Sequence, residues 1–272
     1  MRRSPTGAIA VPAAPPPAVH YATIERVVTA LREPADRALS LHDMADLAGL
    51  SPFHFSRVFR GTTGIPPGEF NAALRLDQAK RLLLETELSV TEICFEVGYE
   101  SLGAFTTRFT RLVGVSPGQF RRLPELTAPF FERVTHDGFT GPCTRSNHRS
   151  VAGRLTSPNG KAGLTFIGLF PTGIASGRPV TGTILTADGD FQINGAPDGA
   201  YHLLAVSLTD PDPRAACLIP ADGVLVGSAG PLTIRQGNIP TPIDLRPRRL
   251  RPLDPPIIIA LPVILRERFM RD

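Results

Sequence analysis

One passage of the chain is written twice. Leu39-Ser40-Leu41-His42-Asp43-Met44-Ala45 returns as Leu88-Ser89-Val90-Thr91-Glu92-Ile93-Cys94. In both copies a Ser stands three residues before an acid, the pattern of a capping box opening a short helix. Each copy then reaches a glycine, Gly49 or Gly98, where the helix must stop and the chain must turn. After a one-residue offset at Glu100 the match resumes, Ser51 with Ser101, Phe55 with Phe105, Phe59 with Phe109 and Gly64 with Gly114. It closes with Pro67, Gly68 and Phe70 set against Pro117, Gly118 and Phe120. A short helix, a glycine turn and a second Ser-capped helix, present twice, predict a tandem helix-turn-helix.

The second helix of the first unit sorts into faces. Phe55, Val58 and Phe59 recur at i, i+3, i+4 and are expected to pack inward. Phe53, Ser56, Arg57 and Arg60 share another face, free to enter a major groove. Pro67 to about Glu85 reads as one long helix joining the units. At ~1.5 Å per residue it spans roughly 28 Å, near the ~34 Å between successive major-groove faces. Two units so spaced can read adjacent turns on one side of a duplex.

Charge does not by itself point to DNA. The whole chain carries +4 with a pI near 9.3, but 21–122 holds twelve Arg/Lys and twelve Asp/Glu. Any nucleic-acid surface there must come from sorting the charges onto faces. Lys80 and Arg81, on the long helix, are expected to be solvated. Lys80 and Lys161 are the only lysines, an Arg-rich bias that carries no mechanism.

The 272 residues leave room for two domains, and 42% hydrophobic with 20% charged residues is enough for a true core. No apolar run reaches the ~20 residues of a membrane span. Three scattered cysteines, Cys94, Cys143 and Cys217, make no disulfide framework and fit a reducing cytoplasm. The division expected is a Pro/Ala-rich disordered tail at 1–20, the helical domain at 21–122, a connector at 123–150 and a β domain at 151–272. Met1-Arg2-Arg3 with Pro12, Pro15, Pro16 and Pro17 behind it reads as a polyproline-like tail, not a signal peptide.

Leu39 to Arg122 resembles the AraC/XylS-type DNA-binding domain of bacterial transcription regulators. The carriers are Leu-Ser-Leu-His-Asp-Met-Ala (39–45), Gly-Leu-Ser-Pro-Phe-His-Phe-Ser-Arg-Val-Phe (49–59) and Val-Gly-Tyr-Glu-Ser (97–101). Phe-Thr-Arg-Leu-Val-Gly-Val-Ser-Pro-Gly-Gln-Phe-Arg-Arg (109–122) completes the set. The resemblance implies seven helices, with two recognition helices in successive major grooves. Its base-reading positions fall on Phe53, Ser56 and Arg57, and on Gly103, Thr106 and Thr107.

Arg57 leads these candidates, since a guanidinium can bond guanine O6 and N7 together; the plain alternative is a surface Arg paired to an acid. Phe53 can touch a thymine methyl or simply cover the helix start. His54 reads as a surface or packing residue. Arg60, Arg108, Arg111, Arg121 and Arg122 are candidate phosphate contacts. The second unit departs from the family pattern, with Thr107 where Arg is common and Arg108 at the place of core-facing Val58. The first unit is therefore expected to dominate specificity and the second to add affinity. Cys94 reads as a small buried hydrophobe.

From Val151 the grammar changes to short strands with Asp-Gly turns, as at Asp188-Gly189 and Asp198-Gly199, pointing to a β-sandwich. The runs Asp188 to Ala205 and Gly230 to Leu245 are similar to carboxypeptidase-regulatory, transthyretin-like sandwiches, a likeness of shape and not of activity. Ile257 to Ile264, behind Asp254-Pro255-Pro256, reads as a short terminal helix with Asp254 as N-cap. Gly227-Ser228-Ala229-Gly230 lacks the spacing of a nucleophile elbow. Asp188 and Asp190 read as a turn in preference to a calcium site, and His202 as a strand residue. His136, Cys143 and His148 do not match zinc spacing.

These readings give a multidomain chain, an all-α tandem helix-turn-helix followed by an all-β sandwich-like domain with a short C-terminal helix. The function expected is sequence-specific transcription regulation in the cytoplasm, with no enzyme activity, catalytic residue, metal or cofactor. Double-stranded DNA and RNA polymerase are the expected partners, with a small-molecule effector or a protein contact at the β domain. A scaffold with a degenerate helix-turn-helix, or an enzyme with a DNA-binding appendage, are the alternatives. The oligomeric state is left open.

Overall fold

The computed structural model of the chain describes residues 18–33, 39–128, 150–158, 160, 163–209, 213–220, 224–235 and 242–264. The expected tail up to residue 17, and His136, Cys143 and His148, lie outside these.

Helix α1 covers Ala18–Arg32, so residues 18–20 belong to it and not to a tail. The first unit follows as α2, Leu41–Ala48, and α3, Pro52–Thr63. The long connecting helix α4 covers Pro67–Glu85. The second unit is α5, Val90–Glu96, and α6, Leu102–Val113, closed by α7, Pro117–Arg121. A further helical stretch covers 123–128.

The predicted caps are in place. Ser40 Oγ accepts from Asp43 N at 3.2 Å while the Asp43 carboxylate accepts from Ser40 N at 2.8 Å. Ser89 and Glu92 repeat this at 3.2 and 2.7 Å. Ser51 and Ser101 cap α3 and α6 through His54 N and Ala104 N. Gly49, at φ 66°, and Gly98, at φ 76°, supply the left-handed backbone each turn needs.

The repeat reaches into the core. Phe59 lies 5.4 Å from both Phe55 and Phe70, and Phe109 lies 5.6 Å from Phe105 and 5.8 Å from Phe120. These six rings are fully buried. Phe70 belongs to α4 and Phe120 to α7, so each triad pins a recognition helix to the helix that follows it.

The β domain is a sandwich. Strands β1 Ser150–Leu155, β4 Gly189–Asn194 and β7 Ile243–Leu245 form one sheet in the order β4-β1-β7. Strands β2 Leu164–Phe170, β3 Thr181–Leu185, β5 Gly199–Leu208, β6 Val224–Ile234 and β8 Arg248–Arg249 form the other, in the order β3-β2-β5-β6-β8. Pairing is antiparallel except between β1 and β7. Val151, Leu155, Phe191 and Ile193 meet Ile167, Leu169, Leu203 and Ala205 between the sheets.

The far face of the five-stranded sheet is covered by helix α8, Pro213–Leu218, and by the chain end. The expected short terminal helix is present, but it begins later than the sequence reading placed it. Residues 255–260 are not helical, and among the described residues the helix covers 261–264. Ile257, Ile259 and Leu261 pack on the sheet, while Ile258 and Ala260 pack into the core of the helical domain. That alternation is the period of a strand, and an apolar run with a domain on each side needs no polar face. Asp254 does not cap it. Its carboxylate accepts from both terminal nitrogens of Arg248, at 2.6 and 2.8 Å, and from Arg251 N at 2.7 Å. These bonds hold the Arg248 pKa above its ordinary value.

Lys80 corrects a further reading. It is fully buried where α4 meets this strap, not solvated, and its Nζ donates to Ile257 O at 3.0 Å.

Candidate nucleic-acid interface

The exposed side of α3 carries Phe53, Arg57 and Arg60. Phe53 is 76% exposed, an aromatic left in water on a helix that buries Phe55 and Phe59. Ser56 is half-buried and its Oγ donates back to Pro52 O at 2.8 Å, leaving Arg57 and Arg60 as the long donors of this face. Phe53, Arg57 and Arg60 line an open concavity completed by Leu41, Gly68 and Asn71, from the starts of α2 and α4. His54 is exposed, its ring 6.1 Å from that of His20.

On α6, Gly103 and Thr107 are exposed and Thr106 is half-buried. Gly103, Thr106 and Thr107 bring no long donor to this face. Thr106 O is taken by the Thr110 hydroxyl at 2.7 Å.

The five arginines expected at phosphates separate into two groups. Arg60, Arg111 and Arg122 are exposed. Arg108 is only half-exposed, and its Nε is buried with no hydrogen-bond partner, as is the hydroxyl of Tyr99. Burial raises the Tyr99 pKa, against the opposing pull of Arg108 and Arg75. Arg121 turns inward. Its Nε donates to Leu83 O at 3.1 Å, and Nη2 donates to Leu88 O. That guanidinium ties the end of α4 to the entry of α5.

Sequence reasoning missed three side chains that set the site from behind. Asn71 Nδ2 donates to Leu39 O at 3.1 Å and holds the approach to α2. Arg75 donates from Nε to Val97 O at 2.6 Å, and from Nη2 to Gly98 O, gripping the turn of the second unit. Its guanidinium lies 4.3 Å from the centre of the Tyr99 ring. Lys80 is the third, and with them α4 is bonded to both units and to the β domain. Their signal in the sequence was slight, polar residues breaking the apolar pattern of α4.

Cys94 is buried, its Sγ 3.8 Å from Tyr99 O, and burial pushes its thiol pKa up, as suits a small hydrophobe. In the β domain, Asp188 accepts from Ser157 N and Oγ, and Asp190 pairs with Arg154 at 3.3 Å. These bonds give both acids of that turn structural partners. His202 sits in β5 at an irregularity in the pairing with β6, half-buried, and burial lowers its pKa. Among the described residues no group of three or more His, Cys, Asp or Glu is arranged to hold a metal ion. Nor is any described helix long and apolar enough to cross a membrane.

Comparison with known proteins converges on the same segment. A family described as a helix-turn-helix domain matches residues 44–123. The HTH-type transcriptional regulator GlxA of Rhizobium meliloti (strain 1021) is 39% identical over 101 residues, 37% of this chain and 30% of GlxA. The Transposon Tn10 TetD protein of Escherichia coli is 31% identical over 103 residues, 38% of this chain and 75% of TetD. A putative AraC-like transcription regulator of Streptomyces lividans is 35% identical over 104 residues, 37% of this chain and 34% of its own length. The chain thus spans about a third of GlxA and of the Streptomyces protein. The family match lies within the helical part of the chain.

Proposed function

Given that this chain belongs to the AraC-type helix-turn-helix transcription regulators, we propose that it reads two adjacent major-groove segments of double-stranded DNA with α3 and α6. The observation that carries the reading is the pairing of two exposed helix faces, Phe53/Arg57/Arg60 and Gly103/Thr107, through the 19-residue helix α4. Arg57 is the principal base reader, with Phe53 against a thymine methyl and Ser56 in support. Thr106 and Thr107 add affinity through methyl and hydroxyl contacts. Arg60, Arg111 and Arg122 anchor phosphates, while the inward bonds of Arg121 make it a brace.

RNA polymerase is the partner a transcription regulator of this kind addresses, and the cytoplasm is where it acts. The β domain gives the input, by effector sensing or protein contact, and no catalytic step belongs to the reading.

The test is selection of binding sites from random duplexes with the full chain, followed by hydroxyl-radical footprinting. Two protected patches one helical turn apart, with strong base preference in one, are expected. Affinity should fall steeply between ~50 and ~200 mM salt, because the release of phosphate counterions on binding is less favourable at higher salt. No enrichment even at low salt defeats the reading and leaves a protein-interaction scaffold.

A further inference from the structure

The two units differ where their recognition helices end. The first has Thr62 and Thr63, whose hydroxyls turn back onto Val58 O and Phe59 O of their own helix, at 2.8 and 2.9 Å. The second has Leu112 and Val113 in the same places, and both carbonyls are taken by the β domain. Gly177 N donates to Leu112 O at 2.6 Å, and Ala260 N donates to Val113 O at 2.9 Å. The last carbonyls of a helix have no partner within it, so these two amides complete α6 from outside.

The same two segments of the β domain are joined to each other. Ala175 O accepts from both Ile258 N and Ile259 N at 3.3 Å. Ile174 enters the helical core beside Ile258 and Ala260, while Ala175 faces the sheet. Gly177 has φ 67°, and a Cβ placed there would sit 3.1 Å from Arg111 O, so a side chain at this position would be strained and crowded against the helix. The strap also meets α4, through the Lys80 bond to Ile257 O. On the side of the first unit, Gly173 lies between Ile65 and the ring of His202. Meanwhile Phe53, Arg57, Gly103 and Thr107 stay exposed with the domains docked.

We propose that the β domain positions the second recognition helix. Gly177, Ile258 and Ala260 are positioning residues that fix α6 against α4, so that the second unit is held in register with the first. This deepens the DNA-reading proposal and rests on it for its consequence. A unit whose own base-contacting face is Gly103, Thr106 and Thr107 contributes through being held in place, because tethering and orientation raise its effective concentration at the groove. Loosening the dock should therefore weaken the second contact and leave the first intact.

The experiment uses the full chain with Gly177→Val, and Gly195→Val as its matched control. Gly195 also has positive φ, at 72°, but stands in open space away from the helical domain, so it carries the backbone strain without the contact. Ile258→Asp is the stronger variant, with Ile258→Val as its conservative rescue. Hydrogen exchange without DNA should quicken in the last turn of α6 in Gly177→Val and Ile258→Asp, but not in α3, and not in Gly195→Val or Ile258→Val. On a selected duplex, Gly177→Val should lose the second protected patch and about tenfold in affinity, with the first patch kept. Equal weakening of both patches would mean general destabilisation and would overturn the proposal. Unchanged exchange in α6 would overturn it as well. Absence of DNA binding by the unaltered chain would sink the regulator reading itself, and the exchange comparison would still decide whether α6 is held by the β domain.

Discussion

The Nζ of Lys80 lies 3.0 Å from Ile257 O, joining the C-terminal part of the linker helix to the strap of the β domain in a fully buried site. The aromatic ring of Phe120 is 5.7 Å from the same nitrogen. Burial pulls the Lys80 pKa down to about 8 from the ordinary 10.5, against the attraction of Asp77 and with a smaller push from Arg81. Between those two values the unfolded chain binds the proton more tightly than the folded one. Stability therefore rises with pH across that window and is flat with respect to this group below about 8. Lys80→Met removes the titration. Denaturation followed from pH 7.5 to 10.5 should show the wild type gaining on the variant, by at most on the order of 3 kcal/mol. Parallel curves would mean that Lys80 is not buried at this contact in solution.

What was legible in the sequence was local. The capping boxes at Ser40 and Ser89, the turns at Gly49 and Gly98 and the length of α4 are written in neighbouring residues, and the repeat states them twice. The β strands were readable for the same reason, since Asp-Gly turns and alternation are short-range signals. The strap was not. Ile257 to Leu261 is apolar at every position, and such a run has no period to separate helix from strand until the two surfaces on either side of it are known. Lys80 and Arg121 failed as readings for a related reason. A cation in a helix reads as solvated or phosphate-facing unless its carbonyl partners are known, and Ile257, Leu83 and Leu88 lie elsewhere in the chain.

Arg121 and Arg122 give a test of that distinction. Arg121 is bonded to Leu83 O and Leu88 O, whereas Arg122 is exposed. Arg121→Ala should cost about 1.5–3 kcal/mol of stability, as charged hydrogen-bond donors do, and leave the salt dependence of DNA binding unchanged. Arg122→Ala should leave stability within about 0.5 kcal/mol and lower the slope of log K against log salt by about 1. Exchanged outcomes would return Arg121 to the phosphate contacts.

Arg75 is bonded to two successive carbonyls, Val97 O and Gly98 O, while its plane lies over Tyr99. A lysine keeps the charge but has neither the fork nor the flat face. Arg75→Lys should therefore destabilise the chain by about 1–2 kcal/mol despite conserving charge. Chemical denaturation at neutral pH measures this directly, and a change near zero would reduce the fork to a simple ion.

Arg57 and Thr107 occupy matching places in the two units, both exposed, and differ in what they can offer a base. A guanidinium in the groove makes a bidentate pair with guanine, worth about 1–3 kcal/mol of discrimination. A threonine offers one hydroxyl and one methyl. Arg57→Ala should therefore lose about 1–3 kcal/mol of affinity and relax base preference at one position of the selected site. Thr107→Ala should lose less than about 1 kcal/mol and leave the base preferences of the first patch untouched. Repeating the site selection with each variant separates these outcomes, because relaxed preference marks a base reader whereas uniform weakening marks a phosphate anchor. Equal losses would show that the helix held by the β domain reads sequence as closely as the one that carries Arg57.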